Sequence, residues 1–171
     1  MHRSTMVDLA PIEFRQIDEA QLVEVARALA PSAAAGGVIH LHGALGAGKT
    51  TFARALLRAL GVGARVKSPT YSLIESYRVG ELSIHHLDLY RIADVDEVEW
   101  LGLGDLDEAR TLWLIEWPER AICAIPQADL RVNLAHAPEG RNACIDAVSD
   151  AGARLLSAAM ADLQSSIHTV S

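Results

Sequence analysis

Cysteine is nearly absent from this chain. Cys123 and Cys144 are the only two in 171 residues, and they form no C-x-x-C pair. That excludes a disulfide-stapled scaffold and a thiolate zinc ribbon, and leaves two buried free thiols in a reducing compartment as the expectation. Aromatic residues are also scarce, at 5% against 50% hydrophobic residues in all, so alanine and leucine must carry most of the packing. No run approaches the roughly 20 apolar residues that span a bilayer, so no membrane role is expected. Met1 to Phe14 lacks the roughly 7–15-residue apolar segment of a secretory signal, which makes a cytoplasmic location the expectation. Basic residues are outnumbered, 15 Lys and Arg against 22 Asp and Glu, for a net charge of −7. No stretch gathers them into a stripe for a phosphate backbone, which argues against DNA, or any nucleic acid, as a ligand of this chain alone.

What the chain does have is a complete phosphate-binding loop. Gly43-Ala44-Leu45-Gly46-Ala47-Gly48-Lys49-Thr50 fits G-x-x-x-x-G-K-T. Its glycines let successive N–H groups turn into one concavity that holds phosphate oxygens. Lys49 is spaced to reach the β- and γ-phosphates, and the Thr50 hydroxyl to ligate a magnesium ion between them. The setting is the required one. Val38 to His42 reads as a strand, and Thr51 to Leu60 as a helix with Phe52, Ala55, Leu56, Ala59 and Leu60 on one face.

The rest of the chain reads as one α/β domain over residues 1–163, with a frayed, disordered tail at 164–171. Ile12 to Ile17 is a strand, and Asp18 caps a helix that turns Leu22, Val25, Ala26 and Leu29 inward and stops at Pro31. Tyr71 to Tyr77 and Leu82 to Leu87 form a hairpin, as do Asp129 to His136 and Asn142 to Val148, so the sheet is mixed and flanked by helices. Asp94 to Leu101 and Asp105 to Arg110 are short acidic helical pieces. Thr111 to Trp117 is a buried strand, and Ala151 to Leu163 an amphipathic helix.

Turnover of a nucleotide needs a carboxylate near the metal as well as the loop. Two acids stand at strand ends: Glu116 after Leu112-Trp113-Leu114-Ile115, the stronger by its apolar run, and Asp88 after Leu82-Ser83-Ile84-His85-His86-Leu87, for which a turn or cap role is the competing reading. Thr70 sits in Lys67-Ser68-Pro69-Thr70-Tyr71, a loop where phosphate-loop enzymes often sense the γ-phosphate, although Ser-Pro-Thr is also an ordinary turn. His40 and His42 alternate on one strand face, but no third ligand lies nearby in sequence, so packing is their expected role. Arg141, in the late hairpin, is within reach of a nucleotide or simply solvated.

Taken in order, the phosphate loop, Lys67-Ser68-Pro69-Thr70-Tyr71, His86-Leu87-Asp88-Leu89-Tyr90-Arg91 and Glu116-Trp117-Pro118 resemble the bacterial TsaE family, small ATPases of tRNA threonylcarbamoyladenosine synthesis. The resemblance runs from about Asp18 to Leu156. It implies a single P-loop NTPase domain with ATP and magnesium as cofactors. Gly43 to Thr50, with Thr51 beside them, would hold the triphosphate, and Lys49 would be catalytic as well as binding. Thr50 and Glu116 would hold the metal. Asp88 would be the functional aspartate near metal and γ-phosphate, acting on water directly or as a further ligand of the ion. Thr70 falls on the family's switch-like loop, Trp117 on a tryptophan beside the nucleotide, and Arg141 on an arginine near it. The implied partners are TsaD and TsaB, which would carry most of the contact with tRNA, while hydrolysis here drives or resets the transferase. Two departures stand out. Ala44 replaces the usual Asp, which a loop working through backbone N–H groups tolerates. Leu22 falls where many members have a Thr near the adenine.

A small-molecule kinase is the competing enzyme. It would need an arginine-bearing lid over the phosphates, and the comparable segment, Tyr90 to Arg110, carries Asp94, Asp96, Glu97 and Glu99 instead. No [NT]-K-x-D motif for guanine appears. A binding module that responds to nucleotide without hydrolysing it is the reading from outside the enzymes.

Overall fold

A computed structural model of the chain describes residues 9–69 and 71–168. In chain order the elements are β1 (Ile12–Ile17), α1 (Glu19–Ala33), β2 (Gly37–Gly43), α2 (Lys49–Ala59), β3 (Ile74–Val79), β4 (Leu82–Asp88), α3 (Asp96–Glu99), α4 (Leu103–Leu106), β5 (Thr111–Glu116), β6 (Leu130–Ala137), β7 (Gly140–Ala147) and α5 (Asp150–His168). The seven strands form one mixed sheet in the order β1-β7-β6-β2-β5-β4-β3. Its centre is parallel: β2 pairs with β5 and β6, and β5 with β4. Antiparallel hairpins close both sides, β3 with β4 on one and β6, β7 and β1 on the other. The fold is thus the expected α/β domain with a mixed, helix-flanked sheet.

Strand alternation sorts the core into two layers. On β5, Leu112 and Leu114 face α1, α2 and α5 in the larger cluster, with Leu22, Leu29, Phe52, Leu56 and Leu156. Trp113 and Ile115 face the other way, into a smaller cluster with Leu87, Leu89, Val98, Leu103 and Ile125. The short helices α3 and α4 exist because Val98 and Leu103 are buried in that second layer. The parallel centre matters most for function. It brings the carboxyl ends of β2, β5 and β4 together, where open α/β sheets take their ligands. In register, Leu41 lies beside Glu116 and Glu116 beside Asp88.

Asp18 caps α1 as expected: its side chain accepts the Gln21 N–H and the Gln21 side chain accepts the Asp18 N–H, a complete capping box. Pro31 does not stop that helix, which runs to Ala33. A proline so close to the end removes one bond only, and the next amides, Ala34, Ala35 and Gly36, still bond Ala30, Ser32 and Ala33. On α2, Phe52, Ala55 and Leu56 are buried with Ala53 and Leu57, whereas Ala59 is exposed because the helix ends there. The second acidic helix spans Leu103–Leu106 rather than Asp105 to Arg110. At Glu108 the backbone N–H turns to the Thr111 hydroxyl and the carboxylate to Ser83 and Arg78, which holds the chain outside a helix. The last helix continues past Leu163 to His168, and the Ser165 and Ser166 hydroxyls bond the carbonyls of Ala161 and Leu163 along it. Neither cysteine is buried: Cys123 is exposed and Cys144 half-buried, because Cys123 lies in the loop after β5 and Cys144 on the β7 face away from the helices. No helix among the described residues is long and apolar enough to cross a membrane.

Candidate functional site

The loop between β2 and α2 is held by glycine where glycine is required. Gly43 has φ +152° and Gly48 φ +111°. A Cβ on Gly43 would collide with the Leu134 carbonyl, and one on Gly48 with the Arg141 guanidinium and Leu22. Leu22 therefore lies under the loop as fully buried core. The first bond of α2 runs from the Phe52 N–H to the Gly48 carbonyl, and Gly48 offers no side-chain cap. The N–H groups ahead of Phe52 are the orphan donors of a helix start, and they point where an anion is stabilised. Ala47 is fully buried and its N–H bonds the Ala44 carbonyl, so that amide is spent inside the loop. Ala44 is exposed outside the cavity, while Leu45, also exposed, stands at its mouth.

A cavity of about 350 Å³ opens against this loop. Gly46, Gly48, Lys49, Thr50, Thr51, Asp88, Glu116, Trp117 and Arg141 all line it. The structure thus brings together sequence positions from two strand ends, the loop with the start of α2, and a distant hairpin. Thr70 lies outside the described residues. His40 and His42 do not join the cavity. His40 is buried and its Nε2 bonds the Pro126 carbonyl at 2.9 Å, which is the packing role expected of it.

Lys49 Nζ donates to the carbonyls of Gly43 and Ala44 and lies 4.0 Å from the centroid of the Trp117 ring. Burial pushes its pKa down, offset in part by Glu116, Glu119 and Asp88. Trp117 follows the end of β5 and is itself left-handed, φ +56°, with its indole over Lys49. Tyr90 packs on it at 4.9 Å between centroids, and the Arg120 guanidinium lies over both rings. Thr50 Oγ1 donates to Glu116 Oε1 at 2.7 Å. Glu116 is buried, and His86, also buried, bonds its other oxygen, Oε2, at 2.7 Å. On the next strand Asp88 accepts the Tyr90 N–H through Oδ1 at 3.1 Å. Burial first, and the Glu116 charge second, push the Asp88 carboxyl above its ordinary range.

Among the described residues no trio of His, Cys, Asp and Glu is gathered as a closed metal cage. What stands here is a hydroxyl and two carboxylates around an anion cradle. That donor set suits magnesium, which is commonly held by one or two carboxylates together with phosphate oxygens. A helix-start loop whose Gly43 and Gly48 leave no room for a Cβ, with a lysine and an arginine beside it, suits a polyphosphate.

Sequence reasoning did not single out Glu19, which lines the cavity from the first turn of α1, nor Tyr90, Arg120 or His86. Tyr90 and His86 lay in plain sight within the His86-to-Arg91 block. Glu19 and Arg120 carried no signal beyond following a cap and a proline.

Comparison with known proteins shows the family and the fold. Residues 17–143 match the family model for the threonylcarbamoyl adenosine biosynthesis protein TsaE. The tRNA threonylcarbamoyladenosine biosynthesis protein TsaE of Haemophilus influenzae is 40% identical over 121 residues, 71% of this chain and 77% of that protein. The protein of the same name from Bacillus subtilis is 35% identical over 121 residues, 71% of this chain and 75% of that one. Among solved structures, Bacillus subtilis YdiB superposes with a TM-score of 0.68 at 24% identity, over 88% of this chain and 95% of that chain, a likeness of fold.

Proposed function

The chain belongs to the TsaE family of tRNA threonylcarbamoyladenosine biosynthesis proteins, and on that premise we propose that it hydrolyses ATP to drive or reset a TsaD–TsaB complex. That complex would place the threonylcarbamoyl group on adenosine 37 of tRNAs reading ANN codons. The observation that carries the ATPase reading is the pair of neighbouring strand-end carboxylates, Asp88 and Glu116, facing Thr50 and Lys49 across one cavity. A module that only binds nucleotide has no need of the second carboxylate.

The orphan N–H groups at the start of α2, with Lys49 and Arg141, hold the triphosphate. Lys49 leaves the loop carbonyls for the β- and γ-oxygens, and its charge opposes the charge that grows there in the transition state. Thr50 and Glu116 would hold magnesium, which when bound would supply positive charge beside the phosphates. Glu116 is taken up as a metal ligand, whereas Asp88 has one oxygen on the Tyr90 N–H and no donor on the other among the described residues. That second Asp88 oxygen is the one assigned to orient the attacking water. Its raised pKa makes it a better proton acceptor than an exposed aspartate. Trp117 and Tyr90 line this side of the cavity, with the Arg120 guanidinium over their rings. Turnover by the isolated protein is slow, because a site completed by a partner lacks part of its constellation alone. The net charge of −7 leaves tRNA to the partners.

Binding and single-turnover hydrolysis of Mg-ATP, measured side by side, test the assignment. Glu116→Ala weakens binding, whereas Asp88→Ala spares binding and loses hydrolysis. Normal hydrolysis by Asp88→Ala would refute the role given to Asp88.

A further inference from the structure

His86 is fully buried, and the mechanism above makes no use of it. It stands two residues before Asp88 on β4, in register with Leu114 and so one step inward from Glu116 on β5. Its Nε2 lies 2.7 Å from Glu116 Oε2, and its Nδ1 has no hydrogen-bond partner among the described residues. A carboxylate oxygen only accepts, so Nε2 carries the proton and Nδ1 is left buried without a partner among the described residues. A buried nitrogen without a partner is destabilising, and an apolar side chain at this place would avoid that cost. As a packing residue, histidine is thus a poor choice; what it supplies and an apolar residue cannot is the bond to Glu116. That bond acts on a carboxylate whose other oxygen is already tied to Thr50.

We propose that His86 is a positioning residue for the metal half of the site. Its N–H fixes the Glu116 carboxylate in the orientation that faces Thr50, and so sets the affinity for magnesium without touching the nucleotide. Ligating carboxylates commonly depend on such outer hydrogen bonds. The inference rests on reading Thr50 and Glu116 as the magnesium ligands.

The test is binding of a methylanthraniloyl-labelled, non-hydrolysable ATP analogue, followed by fluorescence across a magnesium series and in EDTA. Binding in EDTA reports the loop amides, Lys49 and Arg141. The magnesium concentration at half of the metal-dependent tightening reports Glu116. His86→Leu is expected to raise that concentration about 10- to 100-fold while binding in EDTA stays within about twofold of the parent. His86→Gln, whose amide N–H reaches the Nε2 position, stays near the parent. His86→Asn, whose amide ends too short, behaves like His86→Leu, and the Gln and Asn pair decides the matter if the leucine variant does not fold. An unchanged magnesium series in His86→Asn overturns the proposal, as does an equal loss of binding in EDTA and in magnesium. A parent protein whose nucleotide binding ignores magnesium overturns the underlying ligand assignment, and this inference falls with it.

Discussion

Asp88→Asn is expected to stabilise the nucleotide-free protein while abolishing its hydrolysis. The substitution keeps the shape and keeps Oδ1 as acceptor for the Tyr90 N–H, but removes one of two adjacent negative charges. Neighbouring strands are about 4.8 Å apart, and two charges about 5 Å apart at an effective dielectric of about 20 repel by roughly 3 kcal/mol. Lys49 offsets part of this, and Asp88 is only half-buried, so water screens more. About 1–2 kcal/mol remains as the expected gain near pH 7, or roughly 0.5–1 M in urea midpoint for a chain of this size. The sign depends on pH. Because the folded protein raises the Asp88 pKa above the ordinary 3.8, Asp88 contributes most to stability below that value. That contribution is lost as pH rises through the raised folded value. The advantage of Asp88→Asn is therefore full near neutrality and disappears in the acid range where Asp88 is already protonated. Urea unfolding of both proteins in EDTA, across this range, is the assay. A destabilised Asp88→Asn at pH 7, or a gain that does not shrink on acidification, would refute the crowding of these carboxylates.

Two further outcomes follow from the loop and its cover. Gly48→Ala puts a side chain at φ +111° and drives its Cβ into Arg141 and Leu22, so nucleotide affinity falls at least about tenfold while the left-handed strain alone costs about 1–2 kcal/mol; calorimetric titration with Mg-ATP and a thermal melt read the two effects. Nucleotide binding draws Lys49 away from the Trp117 ring, so tryptophan emission changes on adding Mg-ATP. That change persists in Trp100→Phe and is lost in Trp117→Phe, since Trp100 is exposed at the end of α3 and Trp113 is buried and does not line the cavity.

The phosphate loop was legible because its chemistry is local: glycine spacing fixes the backbone, and the lysine and threonine follow at fixed offsets. Glu116 was legible for a similar reason, an acid closing an apolar run. Asp88 was weaker, since a strand-end aspartate gains meaning only when β4 lies beside β5, and that order comes from long-range pairing. His86 was quoted within its block yet had no role until the same pairing set it against Glu116. Arg141 needed β7 folded back so that its guanidinium covers Gly48, more than 90 positions away. Helix ends went astray where side chains decided them. Pro31 was tolerated because Ala34, Ala35 and Gly36 find other carbonyls, and Glu108 left the helix for Ser83 and Arg78. The second apolar layer, built on Trp113 and Ile115, was hidden because a doubly buried strand has no polar face to mark which side is which.

The most direct measurement is steady-state phosphate release from Mg-ATP by the protein alone and with purified TsaB and TsaD, with Lys49→Ala as the blank. Release that is slow alone and rises when both partners are added is the predicted result. Release indifferent to them, or phosphate passed to an added small acceptor instead of water, would contradict it.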